Sequence, residues 1–162
     1  MIMPSNQESR PRVFLVIVDE TPEMRAALRY AALRARRSGG RVALLQVLEP
    51  PEGQHWRAME ELMRAERREE AEERIALLAA ELREFSASPP LVYLREGEAA
   101  QEILAQIDED PTISVLVLAA SVDPAGPGPL VSMMSNRLVG RLRVPLTIVP
   151  GGLSDSDIDR VT

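Results

Sequence analysis

Ser114-Val115-Leu116-Val117-Leu118-Ala119-Ala120, followed by Ser121-Val122-Asp123-Pro124-Ala125-Gly126-Pro127-Gly128-Pro129, is the stretch that decides the fold. It is an apolar run that ends in a glycine-rich loop. Leu130, Met133, Met134, Leu138 and Leu142 then recur at helical spacing, and a second run, Pro145-Leu146-Thr147-Ile148-Val149-Pro150, closes the sequence of elements. Strand, loop, helix, strand is the order of a parallel α/β protein. A loop in this place presents backbone N–H groups to a phosphate. Here Pro124, Pro127 and Pro129 flank the two glycines, and each removes a donor.

The same alternation extends toward the N-terminus. Val13 to Val18 is a continuous β-branched and aromatic run, as expected of a strand covered on both faces. Thr21 is placed to cap a helix and Pro22 to open it, and Met24, Ala27, Leu28, Ala31 and Ala35 continue on one face as far as Ser38-Gly39-Gly40. A second strand follows from Arg41 to Val47. After the loop Glu49-Pro50-Pro51-Glu52-Gly53, a single long helix is expected from about Gln54 to Phe85. Its buried stripe is read as Trp56, Met59, Met63, Ala71, Ile75, Leu78, Leu82 and Phe85. Leu91 to Leu94 is the third strand, and Ala100, Ile103, Leu104 and Ile107 mark the helix after Gly97. The reading is thus one α/β domain over residues 12–150, with an N-terminal tail (1–11) and a flexible acidic C-terminal tail (151–162).

Composition narrows the chemistry. The 162 residues contain no cysteine and a single histidine, His55, and all 19 basic residues are arginine. Thiolate metal sites, cysteine nucleophiles, Schiff-base lysines and a P-loop lysine are therefore excluded, and a multi-histidine metal site is not expected. A net charge of −6 gives nucleic acid no basic field to hold. The basic run Arg34-Ala35-Arg36-Arg37 reads as cations at a helix C-terminus. Arg64 to Arg68 alternates with glutamates, as on a solvated helix face. No apolar run has signal-peptide or membrane-spanning length, so a cytoplasmic protein bound to neither membrane nor nucleic acid is expected.

In an open parallel sheet the ligand site lies beyond the carboxyl ends of the strands, where the strand order reverses, here between the first and fourth strands. Asp19 leaves the first strand at that point. It is placed either to accept hydrogen bonds from a ribose or to form a local Asx turn. Val47, at the end of the second strand, offers a backbone edge to an adenine. Ala119 to Ser132 leave the fourth strand, with the amides around Leu130 to Ser132 near a helix N-terminus.

With these elements in place, the chain resembles the universal stress protein family over about residues 12–150. The likeness is carried by Val16-Ile17-Val18-Asp19, Leu44-Leu45-Gln46-Val47-Leu48-Glu49-Pro50, Glu96-Gly97-Glu98-Ala99-Ala100-Gln101-Glu102-Ile103, Val117-Leu118-Ala119-Ala120 and Val144 to Pro150. The resemblance implies a doubly wound, Rossmann-like sheet of five parallel strands in the order 3-2-1-4-5, of the adenine-nucleotide alpha-hydrolase-like type. It also implies a homodimer, which in many members pairs through the last strand, here Leu146, Thr147, Ile148 and Val149.

ATP-binding members share Gly, two residues, Gly, nine residues, then Gly and Ser or Thr. Laid on this chain without gaps, the motif falls on Ala119, Val122, Ser132 and Met133, and all four have departed. Asp19 matches the family's adenosine-contacting acid and Val47 its adenine-contacting position. The expectation is a non-catalytic, dimeric regulatory or stress-response protein in which binding of ATP or another adenine nucleotide is weakened or lost. The alternatives are an ATP-binding member using Gly126, Gly128 and Ser132 as a rearranged loop, and a nucleotide-using enzyme on the same scaffold.

Overall fold

A computed structural model describes residues 10–50, 57–86 and 88–162. The elements run β1 (Val13–Ile17), α1 (Met24–Ser38), β2 (Arg41–Leu48), α2 (Arg57–Arg83), β3 (Leu91–Glu96), α3 (Ala99–Glu109), β4 (Ile113–Ala120), α4 (Pro129–Met133), β5 (Leu146–Pro150) and α5 (Asp155–Val161). The strands form one parallel sheet in the order β3-β2-β1-β4-β5, as the resemblance implies. α4 continues through a π-helical segment, Met134–Leu138, and a 3-10 turn, Val139–Arg141, within the stretch expected to be helical.

Side-chain alternation along each strand divides the core into two layers. Phe14, Val16, Val42, Leu44 and Val117 point to the face covered by α1, α2 and α5, where they meet Ala27, Ala31, Ile75, Leu82 and Ile158. Leu15, Ile17, Leu45, Leu116 and Leu118 point the other way, against Ile103 and Ile107 of α3 and Val131 and Met134 beyond β4. The small residues Ala27, Ala31 and Ala35 let α1 lie close on the sheet. Arg143, just before β5, donates to the carbonyls of Ile107 and Asp110 at the end of α3 and of Ile113 at the start of β4. It thereby satisfies acceptors that a helix end leaves open.

Three expectations are corrected. The C-terminal stretch, expected as a tail, carries a further helix. Residues after Gly152 fold into α5, whose Ser154 and Asp157 form a reciprocal capping box, and Ile158 is 1% exposed in the core. Arg29 of α1 grips Asp159 through two hydrogen bonds, at 2.9 and 3.0 Å, and holds the helix in place. The second correction concerns α2, whose buried residues are Ala71, Ile75, Ala79 and Leu82. Met59 and Met63 are 57% and 37% exposed and Phe85 is also exposed, while Trp56 lies outside the described residues. Third, Thr21 does not cap α1, which begins at Met24 with no side-chain cap. Its hydroxyl donates to Asp19 instead.

Candidate functional site

The strand order reverses between β1 and β4, and a cleft of about 130 Å³ opens there. Its walls come from Ile17, Asp19, Thr21 and Glu23 on one side and from Leu118, Ala119, Ser121, Pro127, Gly128, Pro129, Leu130 and Val131 on the other. Of the residues singled out from sequence, Asp19, Ala119 and Gly128 meet in this cleft. Val47, Gly126, Ser132 and Met133 do not line it. Val47 sits on β2 opposite Arg95 of β3 and packs into the layer under α3. Ser132 and Met133 lie one turn into the helix, where the Ser132 N–H donates to the Gly128 carbonyl at 3.0 Å.

Asp19 forms the Asx turn. Its Oδ1 accepts from the Thr21 N–H at 2.8 Å and from the Thr21 hydroxyl at 2.6 Å. Oδ2 accepts nothing among the described residues and remains open to a ligand. Glu23 is a wall residue that the sequence did not point to, and Thr21, expected as a helix cap, lines the cleft instead, whereas Leu130 and Val131 fall in the Leu130 to Ser132 stretch expected there. The signal for Glu23 was adjacency, since it lies next to a helix start that the alternation had already placed.

The loop after β4 is closed on itself. The Ser121 N–H donates to the Pro127 carbonyl at 3.0 Å, and the Gly126 N–H donates to the Asp123 carbonyl at 3.0 Å. The Asp123 N–H donates to the Ser121 hydroxyl at 3.1 Å, and the Ala125 N–H to Asp123 Oδ1 at 2.8 Å. Pro124, Pro127 and Pro129 have no N–H to give. Among the described residues this leaves Val122, Gly128, Leu130 and Val131 as amides without an acceptor. Gly126 and Gly128 have φ of 131° and 101°, and nothing stands within 4 Å of where a Cβ would be at either position. Glycine is needed there for backbone conformation, because L side chains rarely adopt these angles.

The cleft is small for a nucleotide, since small-molecule sites run to roughly 300–1,000 Å³. Its carboxylates, Asp19 and Glu23, do not attract phosphate, and Asp123 in the adjoining loop adds a third. Arg137 is exposed and forms no ion pair among the described residues. The chain after β5 crowds the same corner: the Gly151 N–H donates to the Ala120 carbonyl, and a Cβ at Gly151 would run into the Glu23 side chain. The cleft thus holds the Asp19 carboxylate on its β1 side and the amides of Gly128, Leu130 and Val131 on its β4 side, in a space smaller than a nucleotide.

A larger recess, about 530 Å³, lies beyond the ends of β2 and β3 under the first half of α2. Arg57, Arg64 and Arg67 line it together with Glu60, Glu61 and Glu96, a balanced set that selects no sign of ligand charge. Glu96 is already bound by Arg64 Nε at 2.6 Å and Arg68 at 3.0 Å, and Arg64 foremost, aided by Arg68, holds its carboxyl below the ordinary range. The topological position favours the smaller cleft as the candidate site.

The family model described as the universal stress protein family matches residues 11–150. The chain belongs to the universal stress protein family. Among solved structures, universal stress protein UspA from Lactobacillus plantarum is 21% identical with a TM-score of 0.70, the match covering 87% of this chain and 99% of that one. The universal stress protein from Archaeoglobus fulgidus in complex with dAMP is 19% identical with a TM-score of 0.56, covering 86% and 96%. A universal stress protein in complex with cAMP is 14% identical with a TM-score of 0.58, covering 89% and 100%. At these identities the likeness is one of fold. No curated protein matches the sequence. Among the described residues of this universal stress protein, no helix is long and apolar enough to cross a membrane.

Proposed function

We propose that the chain is a non-catalytic regulatory universal stress protein, a homodimer through β5, whose adenine-nucleotide site is weakened or lost. The observation that carries this reading is the loop from Ser121 to Pro127, where four backbone N–H groups, those of Ser121, Asp123, Ala125 and Gly126, are bound within the loop. Breaking those bonds to bind an anion costs about 1 kcal/mol each before any contact is gained. The lack of lysine and cysteine supports the non-catalytic part. β5 is an edge strand with Ile148 38% exposed, which supports pairing there.

A second reading, an ATP-binding member using Gly126, Gly128 and Ser132, has in its favour the free Oδ2 of Asp19 and the complexes of two structural relatives with dAMP and cAMP. Rebuilding the family motif separates the two. With Ala119→Gly, Val122→Gly, Ser132→Gly and Met133→Ser combined, ATP affinity is expected to rise at least tenfold over the parent, or about 1.4 kcal/mol. If the parent already binds ATP as tightly as the rebuilt protein, the second reading stands and the first falls.

A further inference from the structure

The first fourteen residues of α2, 57–70, contain no buried residue, and burial starts at Ala71. At 1.5 Å per residue this is about 21 Å of helix whose outer side meets nothing among the described residues. Its orientation is nevertheless fixed. On its inner side Arg64 and Arg68 bind Glu96 at the end of β3, and Arg67 donates to the Glu49 carbonyl at 3.0 Å. Extrapolating the buried stripe Ala71, Ile75, Leu82 toward the N-terminus in helical steps lands on Arg68, Arg64, Glu61 and Arg57. The charged side of the helix therefore faces the body, and rotating it to bury the apolar side would break these contacts.

The outer side carries Met59, Leu62 and Met63, of which Leu62 is 61% exposed, and then Glu66, Glu69, Glu70 and Glu73, with Leu77 beyond. None of these four glutamates is in an ion pair among the described residues, whereas Glu72 and Glu96 are. Apolar side chains followed by a line of unpaired carboxylates on a rigid ridge form a two-part surface. Methionine suits such a surface because it adapts its shape to what it meets.

From this juxtaposition we infer that the outer face of α2 over 59–77 is a docking surface for a basic amphipathic helix of another protein. The partner's apolar stripe covers Met59, Leu62 and Met63, and its arginines or lysines pair with Glu66, Glu69, Glu70 and Glu73. Charge decides against the other occupants. A second copy would bring two acidic lines together, and an anionic lipid surface would be repelled by the same carboxylates. The inference is independent of the nucleotide site, which lies at the other side of β1.

The test uses the full chain and a dye-labelled synthetic helical peptide of eighteen residues with leucine on one face and arginine beside it, followed by fluorescence anisotropy. Saturable binding is expected, weakened at least tenfold by Leu62→Ser and, separately, by Glu66→Gln with Glu70→Gln, with the chemical-shift changes confined to α2. All three side chains are exposed, so an unchanged melting temperature is expected and shows that the fold is intact. A peptide with the same leucine face and glutamate in place of arginine is expected not to bind. Equal binding of both peptides, affinity unchanged in Leu62→Ser, concentration-dependent self-association abolished by Leu62→Ser, or binding to vesicles of phosphatidylserine would each overturn the inference.

Discussion

The backbone N–H of Ser121 donates to the carbonyl of Pro127 at 3.0 Å, so the loop that follows β4 is tied shut across the five residues between them. Asp123 completes the closure, since its Oδ1 takes the Ala125 N–H and its carbonyl takes the Gly126 N–H. Asp123→Ala removes one of these bonds. Amide exchange at Ala125 is expected to rise about fivefold, the equivalent of about 1 kcal/mol, while the fold is unchanged. Unaltered exchange by NMR would mean that the loop is held by something else.

Gly151 lies where β5 ends and the link to α5 begins. A methyl group there would stand 2.7 Å from the Ala120 carbonyl and collide with Glu23. Gly151→Ala is therefore expected to lower stability by about 1–3 kcal/mol in urea denaturation, the usual range for overpacking. Gly151→Ala combined with Glu23→Ala should recover part of that loss, because the Glu23 side chain is the nearer obstacle.

α5 contributes to the core through Ile158. Truncation to alanine at this 1% exposed position is expected to cost about 2–5 kcal/mol, and Ser154→Ala, which removes the N-cap, about 1 kcal/mol. A chain whose last residues were a loose tail would show no change for either.

Asp110 gives a pH signature. Burial pushes its carboxyl up, but the Thr112 hydroxyl and N–H, the Tyr93 hydroxyl and the Arg143 charge outweigh that and hold it below the ordinary aspartate value. A group lowered in the folded state stabilises above its unfolded pKa, about 3.9, and that contribution is lost as pH falls through the folded value. The urea midpoint should therefore drop below about pH 4, and less steeply in Asp110→Asn. Glu96, Glu109 and Asp157 are lowered as well, so the variant removes only part of the slope.

The sheet was legible because β-branched runs alternate with helical spacing along the chain, and the five strands fall within two residues of where those runs lie. Two features were hidden for physical reasons. α5 is short and acidic, so its composition resembles a solvated tail, and its signal was the pair Ser154 and Asp157 followed by Ile158, a capping box before a single core residue. In α2, Met59 and Met63 have helical spacing but stand on the opposite side of the helix from Ala71 and Ile75. Spacing within each group suggested one stripe, while the angle between the groups shows two. At the cleft, Asp19 could be placed by its position after β1, but whether it would turn toward a ligand or toward Thr21 depends on local geometry that spacing does not encode.

The most direct measurement is calorimetric titration of the purified protein with ATP and with dAMP near pH 7. No saturable binding tighter than about 0.1 mM is expected, in keeping with a cleft of about 130 Å³ whose adjoining loop binds four of its own amides. A dissociation constant near 1 μM that weakens by tenfold or more in Asp19→Ala would contradict the reading of a weakened or lost nucleotide site.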